Sequence, residues 1–170
     1  MKRALLLVDL QNEWADKDSP YHVSETELFI KHINELISNC RKRGYKIIFI
    51  RHVEEEGESF KEGTSGAELM KELDRNESDI VITKNHISPF YKTKLEKELK
   101  GIKGLAIAGI LTNLCVRMSV EGAYDRGFDI TLIEDCCLAM DDETHKFTLK
   151  DLKTTREEIT ITRLERFTKR

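Results

Sequence analysis

The sequence ALLLVD, residues 4–9, is an unbroken aliphatic run that ends on an aspartate. A second largely apolar run, YKIIFI, occupies residues 45–50. Between the two runs, apolar residues recur at helical spacing from Leu28 to Cys40. Short apolar runs bounded by turn residues are typical of buried strands, and a helical apolar period is typical of an amphipathic helix. Residues 4–50 therefore predict a β-α-β unit.

The same alternation continues outward from this unit. Further strand-like apolar runs lie at residues 79–83, 105–108 and 128–133. A helix is predicted over residues 115–126, ended by Gly127. For residues 159–164 we favour a final edge strand, with an amphipathic turn as the alternative. Aliphatic strands separated by helices indicate a parallel sheet covered on both faces. Since parallel crossovers are right-handed, the expected fold class is α/β: a three-layer α/β/α doubly wound sandwich with a mostly parallel sheet and a strand order of about 3-2-1-4-5(-6).

The composition bounds the class of protein. The chain has 170 residues, with 28 lysines and arginines against 31 aspartates and glutamates, a net charge of −3. This size and balance predict a single domain, residues 1–170, with no basic surface for nucleic acid. No stretch approaches the roughly 20 apolar residues of a membrane span, and residues 1–3 lead into the first strand without a signal segment. We therefore expect a cytoplasmic protein that has no nucleic-acid or membrane partner.

Four cysteines, at positions 40, 115, 136 and 137, fit neither a spaced metal pair nor a disulfide framework, so reduced thiols are expected. For the adjacent Cys136 and Cys137 we favour buried packing over a redox or metal device. Cys115 differs, because it follows a predicted strand at the start of a predicted helix. The helix N-terminus would lower the pKa of a thiol there, although an inert buried cysteine is the alternative for this position taken alone.

In open α/β sheets, ligands bind beyond the carboxyl ends of the strands. Five polar residues terminate the apolar runs here: Asp9, Arg51, Lys84, Thr112 and Asp135. A dinucleotide would need a glycine-rich turn after the first strand, but DLQNEW, residues 9–14, contains no glycine. The chain also has no GxxxxGK[ST] phosphate loop. We therefore expect no nucleotide and no other cofactor, and we interpret Asp135 as a capping or loop-holding residue.

Three segments carry a family resemblance that covers nearly the whole chain. They are DLQNEW at 9–14, KNHISPF at 84–90 and GILTNLCV at 109–116. In this order they resemble the motifs of the isochorismatase-like cysteine hydrolases, which include nicotinamidases, N-carbamoylsarcosine amidohydrolases, ureidoacrylate hydrolases and isochorismatases. The resemblance implies a catalytic triad of Asp9, Lys84 and Cys115. It also implies a cis peptide between Ile110 and Leu111, with the backbone N–H groups of Leu111 and Cys115 as an oxyanion hole.

The resemblance also implies a substrate-binding set and a small-molecule substrate. The set comprises Gln11, Trp14, Phe90 and Thr112, with Trp14 and Phe90 as pocket aromatics for which core packing is the alternative. The loop over residues 54–66 should shape the crevice, and GTSGAEL at 63–69 resembles a loop that covers the substrate. A homo-oligomer is implied as well. His145 is interpreted as a helix-surface or capping residue rather than a catalytic base.

The segment after the second strand bears on metal binding. The motif of metal-dependent nicotinamidases is D-x-H with a further histidine. The segment that resembles it here, IRHVEEE at residues 50–56, has His52 and three glutamates but lacks that aspartate. We therefore expect no metal, with His52 and Glu54–Glu56 as the residues on which that expectation depends.

The prediction for function is a metal-independent cysteine hydrolase that cleaves a C–N bond of a small carboxamide or ureido substrate through a thioacyl intermediate. One alternative is an isochorismatase-type vinyl-ether hydrolase, whose acidic ligand would need cationic partners, for which Arg51 and Arg117 are the candidates. The other alternative is a non-catalytic binding protein on the same fold. An intact Asp9, Lys84 and Cys115 set argues against that last alternative.

Overall fold

The computed structural model describes residues 1–24 and 26–169, which form one six-stranded sheet with helices on both faces. The strands are β1 Arg3–Val8, β2 Lys46–His52, β3 Ile80–Lys84, β4 Gly104–Ile110, β5 Asp129–Leu138 and β6 Thr160–Thr162. Their order in the sheet is β3-β2-β1-β4-β5-β6, and every neighbouring pair is parallel. The predicted fold class and strand order are therefore confirmed.

The order of the strands places the crevice. The chain moves from β1 outward to β2 and β3, and from β4 outward in the opposite direction to β5 and β6. Since each crossover is right-handed, the helices after β1 and after β4 lie on opposite faces of the sheet. Adjacent strands whose connections leave in opposite directions form a topological switch point, with a crevice at their carboxyl ends. Here that point lies between β1 and β4.

In the described part of the chain, five helices cover the sheet. They are α1 Thr26–Lys42, α2 Leu95–Glu98, α3 Arg117–Tyr124, α4 Asp142–Thr155 and α5 Leu164–Thr168. The helices α1 and α5 pack together on one face, whereas ion pairs from Arg126 to Glu96 and from Arg117 to Asp151 join α2, α3 and α4 on the other. Single turns of 3-10 helix at Asn12–Trp14 and of π-helix at Thr112–Val116 follow β1 and β4.

The core explains the unbroken apolar runs. All seven residues of β4 are buried, and the five residues of β1 from Ala4 to Val8 are completely buried. A central parallel strand is covered on both faces, so its side chains cannot alternate between apolar and polar. On α1, Ile33, Leu36 and Cys40 face this core, in agreement with the helical spacing in the sequence.

The structure corrects the predicted element boundaries in three places. The helix expected from Cys115 begins as the π-helical turn at Thr112, so Cys115 lies inside that turn and α3 follows it. Strand β5 runs on to Leu138 through a register shift against β4, which places Cys136 and Cys137 in the strand, where both are buried. Leu164 begins α5 instead of ending the edge strand.

Asp135 holds the chain after β6, as interpreted from the sequence. Its Oδ1 accepts a hydrogen bond of 2.7 Å from the backbone N–H of Leu164, and its Oδ2 lies 3.3 Å from Arg163. Within residues 1–24 and 26–169, no helix combines the length and the apolar character needed to cross a membrane.

Candidate active site

Asp9 follows the last residue of β1 at the switch point. Its backbone is in the left-handed region, with φ 53°, which costs a non-glycine residue about 1–3 kcal/mol, and such residues cluster at active sites. The Asp9 N–H donates to the carbonyl of Ile50 on β2, and the Trp14 indole donates to the Asp9 carbonyl at 2.8 Å. These two bonds fix the residue so that its carboxylate is only 1% exposed.

Lys84 is the last residue of β3 and lies beside His52 in the sheet register. Its side chain is fully buried and extends inward past β2 toward β1. The Nζ atom lies 2.9 Å from Asp9 Oδ2, 3.4 Å from Cys115 Sγ and 3.3 Å from His52 Nδ1. The contact with Asp9 is an ion pair, and neither carboxylate oxygen of Asp9 has a hydrogen-bond partner within residues 1–24 and 26–169. The length of the lysine therefore spans the two strand spacings that separate β3 from β1.

Cys115 lies in the π-helical turn after β4. The peptide bond between Ile110 and Leu111, which leads into this turn, is cis, in agreement with the resemblance. The Ser119 hydroxyl donates to the Cys115 carbonyl at 2.6 Å and so joins the turn to α3. The Leu111 N–H donates to no backbone carbonyl within the described part of the chain. The residues predicted as a triad, Asp9, Lys84 and Cys115, are thus brought together.

The expectation of a lowered pKa for the Cys115 thiol is wrong. Burial, and then the negative charge of Asp9, raise the pKa of Cys115 to about 12, and the positive charge of Lys84 only partly opposes them. The sequence indicated the helix terminus and the lysine but not how deeply the sulfur is buried. In the resting protein the thiol therefore keeps its proton beside a carboxylate that can accept it.

This pKa predicts how Cys115 reacts with iodoacetamide. Because the thiolate is the nucleophile, the labelling rate at Cys115 should rise about tenfold per pH unit from pH 7 to pH 10, without levelling near pH 8.5 as a free thiol does. Asp9→Asn removes a charge that raises the pKa, so this variant should react faster at each pH. Peptide mapping by mass spectrometry measures the rate; a plateau below pH 9 would contradict the prediction.

The other three thiols are internal controls for that measurement. Cys40, Cys136 and Cys137 are at most 3% exposed, and burial raises the pKa of each of them. Cys115 is the partly exposed one among the four free cysteines, so label should accumulate there first.

A cavity of about 750 Å³ opens above the triad, and both Asp9 and Cys115 line it. One wall is aromatic: the ring centroids of Trp14 and Phe60 are 4.9 Å apart, and those of Tyr21 and Phe60 are 5.5 Å apart. The loop that follows β2 supplies much of the remaining wall, as predicted for residues 54–66. Such a volume accommodates a small organic molecule.

Glu13 anchors the two segments that carry this wall. Its Oε1 accepts a 2.7 Å hydrogen bond from the Ser19 hydroxyl, and its Oε2 faces the Phe60 N–H at 3.5 Å. A Cβ atom on Gly66 would lie 2.1 Å from the same carboxylate, so a larger residue there would displace the Glu13 side chain from this position. The sequence motif contains Glu13 but gives no signal of this role.

Of the four residues predicted to bind substrate, Trp14 lines the cavity and the other three do not. Gln11 is fully buried, and its amide donates to the carbonyls of His52 and Ala67 while accepting from the His52 N–H. The side-chain amide of Gln11 thus uses both its N–H donors and its oxygen to hold backbone groups. We therefore interpret Gln11 as a residue that joins β2 to the segment around Ala67.

Thr112 and Phe90 also lie away from the cavity wall. The Thr112 hydroxyl is fully buried at 2.8 Å from His145 Nδ1, so His145 joins α4 to the π-helical turn, and burial lowers the pKa of this histidine. Phe90 packs against α3, where a Cβ on Gly122 would be 2.6 Å from its ring, and the Arg126 guanidinium lies over the same ring. Core packing, the alternative stated for Phe90, fits its position.

The segment at residues 63–69 does not cover the cavity in this structure. Backbone groups of Asn12 and Glu13 donate to the carbonyls of Glu68 and Gly66, so the segment lies against the 3-10 turn. The loop of residues 54–66 was predicted as part of the wall, but its individual contacts, among them those of Phe60 and Glu56, were not, and Tyr21 was missed altogether. These residues belong to loops without periodicity, and their distance along the chain from the triad gave no signal.

The two arginines considered for an acidic ligand are engaged elsewhere. Arg51 pairs with Glu68 at 2.9 Å and with Glu62 at 3.7 Å. Arg117 pairs with Asp151, on α4, and is 3.8 Å from Glu121. Neither arginine lines the cavity. The alternative of isochorismate hydrolysis thus loses the cationic partners on which it depended.

The side chains beside the cavity do not fit a metal of the kind implied by the nicotinamidase D-x-H pattern. His52 Nε2 faces Glu54 Oε1 at 2.6 Å, and its Nδ1 faces the Lys84 ammonium, whose charge would repel a cation. Within residues 1–24 and 26–169, no three histidine, cysteine, aspartate or glutamate side chains are grouped to hold a metal ion.

In the doubly wound folds that bind dinucleotides, the switch-point crevice holds the ligand beside a glycine-rich turn. Here the same crevice holds a thiol beside a paired carboxylate and ammonium, which is the equipment of a cysteine hydrolase. The model of the isochorismatase domain family matches residues 3–163, and the chain therefore belongs to that family. The resemblance read from the three motifs is confirmed.

Named relatives agree with this membership. The chain is 26% identical over 165 residues to nicotinamidase 3 of Arabidopsis thaliana, covering 88% of this chain and 79% of that protein. It is 25% identical, over an alignment of 188 positions including gaps, to the ureidoacrylate amidohydrolase of Acinetobacter baylyi, covering 89% of this chain and 77% of that protein. The crystal structure of N-carbamoylsarcosine amidase from Thermoplasma acidophilum superposes with a TM-score of 0.83 at 26% identity, covering 96% of this chain and 97% of that one.

Proposed function

We propose that this isochorismatase-family protein is a metal-independent cysteine hydrolase that cleaves a C–N bond of a small carboxamide or ureido compound. The observation that carries the proposal is the position of Lys84 Nζ, which contacts both Asp9 and Cys115 at the floor of an open cavity. The names of its relatives, a nicotinamidase and a ureidoacrylate amidohydrolase among them, support the same bond type.

In the first half of the reaction, Asp9 accepts the thiol proton as Cys115 Sγ attacks the substrate carbonyl carbon. The carbonyl electron pair moves to oxygen, and the N–H groups of Leu111 and Cys115 stabilise the oxyanion. Lys84 keeps its charge throughout and so stabilises the developing negative charge on sulfur. The intermediate collapses, the C–N bond breaks, and Asp9 returns its proton to the leaving nitrogen.

In the second half, water hydrolyses the resulting thioester. Asp9, again a carboxylate, takes a proton from the attacking water, and the oxygen adds to the same carbonyl carbon. Collapse breaks the C–S bond, and the proton on Asp9 returns to sulfur. The products are ammonia or an amine and a carboxylic acid, or a carbamic acid from a ureido substrate. A thiol that is protonated at rest suits this cycle, because its own proton passes through Asp9 to the leaving nitrogen and no other proton donor is needed.

The direct test is product release from a panel of primary carboxamides, ureides and isochorismate. We expect ammonia from at least one amide or ureide, no pyruvate from isochorismate, and an acyl adduct on Cys115 when the reaction is quenched in acid. Prolonged chelation should leave the rate unchanged, because no residue in the mechanism binds a metal. Pyruvate release without ammonia, or activity that is lost on chelation and restored by zinc, would contradict the proposal.

A further inference from the structure

The charged groups around the cavity are almost all of one sign. Its lining includes the carboxylates of Glu54, Glu56 and Glu58, which come from the loop after β2, and among the described residues it includes no lysine or arginine. At the floor, the ammonium of Lys84 is buried against Asp9, so their charges offset each other. A ligand entering this cavity therefore meets a net negative field.

Two of the three glutamates are free to face a ligand. Glu54 is engaged by His52 at 2.6 Å. Glu56 and Glu58 are exposed, and neither forms an ion pair with any side chain in residues 1–24 or 26–169. Carboxylates that line a cavity without a cationic partner repel an anion and attract a cation.

The aromatic wall favours the same charge. Trp14, Tyr21 and Phe60 line the cavity with their ring centroids 4.9 to 6.0 Å from one another. The faces of aromatic rings attract cations, and a group of such rings is a known way to bind an organic ammonium. The aromatic group and the acidic loop lie in one cavity and are independent observations that point to one ligand charge.

We propose that the substrate is an organic cation: a small amide or ureide that carries a positive charge beside Trp14, Tyr21 and Phe60, balanced by Glu56 and Glu58. Placing its carbonyl at Cys115 rests on the proposed function, whereas the preference for a positive charge does not. An anionic substrate would find no lysine or arginine of residues 1–24 and 26–169 at the wall of this cavity.

Three ring amides of nearly equal size test the charge preference. They are 3-carbamoyl-1-methylpyridinium, a cation; 3-methylbenzamide, its neutral isostere; and 3-carbamoylbenzoate, an anion. Binding is measured in Cys115→Ala, so that no turnover intervenes, through the fluorescence of Trp14, the single tryptophan of the chain. At low salt, the cation should bind roughly tenfold more tightly than its isostere and the anion more weakly than both.

Two double variants, also made in the Cys115→Ala background, locate the origin of the preference. Glu56→Gln with Glu58→Gln should reduce the preference for the cation to about twofold, because only the aromatic wall remains. Glu55→Gln with Glu62→Gln also removes two negative charges from this loop, but at positions that do not line the cavity, so most of the preference for the cation should persist. Added salt should weaken the preference, because these carboxylates are exposed.

The outcomes separate this inference from the proposed function. Equal binding of the three amides, tighter binding of the anion, or equal effects of the two double variants would overturn the cationic substrate, even if the protein hydrolyses amides. Failure to hydrolyse any amide would overturn the proposed function, while the binding order would still decide the ligand charge.

Discussion

Replacing Cys115 with alanine should reduce amide hydrolysis by a factor on the order of 10⁴, because no other cysteine among the described residues lines the cavity to form the thioester. Asp9→Asn should cause a loss of similar size, since the amide cannot accept the thiol proton, although the thiol itself becomes more reactive toward iodoacetamide. Initial rates of ammonia release, with the best amide of the panel, measure both effects.

The double variant and a matched thiol control make this prediction specific. Asp9 and Cys115 act in the same steps, so Asp9→Asn combined with Cys115→Ala should be no worse than Cys115→Ala alone. Cys40→Ala removes a thiol that is buried on α1, outside the cavity, and should keep the activity of the unmodified protein. Losses that multiply in the double variant, or a Cys115→Ala protein within tenfold of full activity, would contradict the triad.

The sequence predicts the central site because the site follows from topology. Asp9 and Lys84 lie at the carboxyl ends of predicted parallel strands, and Cys115 follows another. Parallel strands place those ends along one edge of the sheet, so residues distant along the chain converge there. The three motifs then identify which of the polar strand-end residues belong together.

What the sequence does not predict depends on the direction and burial of individual side chains. Gln11 and Thr112 lie within the same motifs as Asp9 and Cys115. The side chain of Gln11, however, hydrogen-bonds to backbone groups, and that of Thr112 to His145. The predicted direction of the Cys115 pKa shift was wrong for the same reason, since burial of the sulfur raises the pKa more than the nearby ammonium lowers it. A pattern of residue types specifies neither the direction nor the burial of a side chain.

The fold was predicted better than its boundaries. Continuous aliphatic runs identify β1 and β4 because central strands are buried on both faces. The extra length of β5 and the π-helical turn at Thr112–Val116 arise from pairing and packing near the switch point. Neither changes the apolar period of the sequence, so neither leaves a signal in it.

Gly109→Ala should destabilise the fold more than the same change at any other glycine with a positive φ. Gly109 has φ 139° and is paired in register with Val8 of β1, and a Cβ atom would lie 2.1 Å from the Val8 carbonyl oxygen. Backbone strain and overpacking together should lower the free energy of unfolding by about 3–5 kcal/mol, or the melting temperature by roughly 10 °C. Thermal and urea unfolding followed by circular dichroism measure the change.

Gly127→Ala separates the clash from the backbone strain. Gly127 also has a positive φ, 70°, but a Cβ there would meet no atom within 4 Å, so the cost should be only about 1 kcal/mol. Because Asp9 directly follows Val8, relief of the clash at Gly109 must displace the candidate base, and the folded fraction of Gly109→Ala should also lose activity. A Gly109→Ala protein as stable and as active as Gly127→Ala would show that the ends of β1 and β4 can separate without disturbing the triad, contrary to the close approach that Gly109 permits.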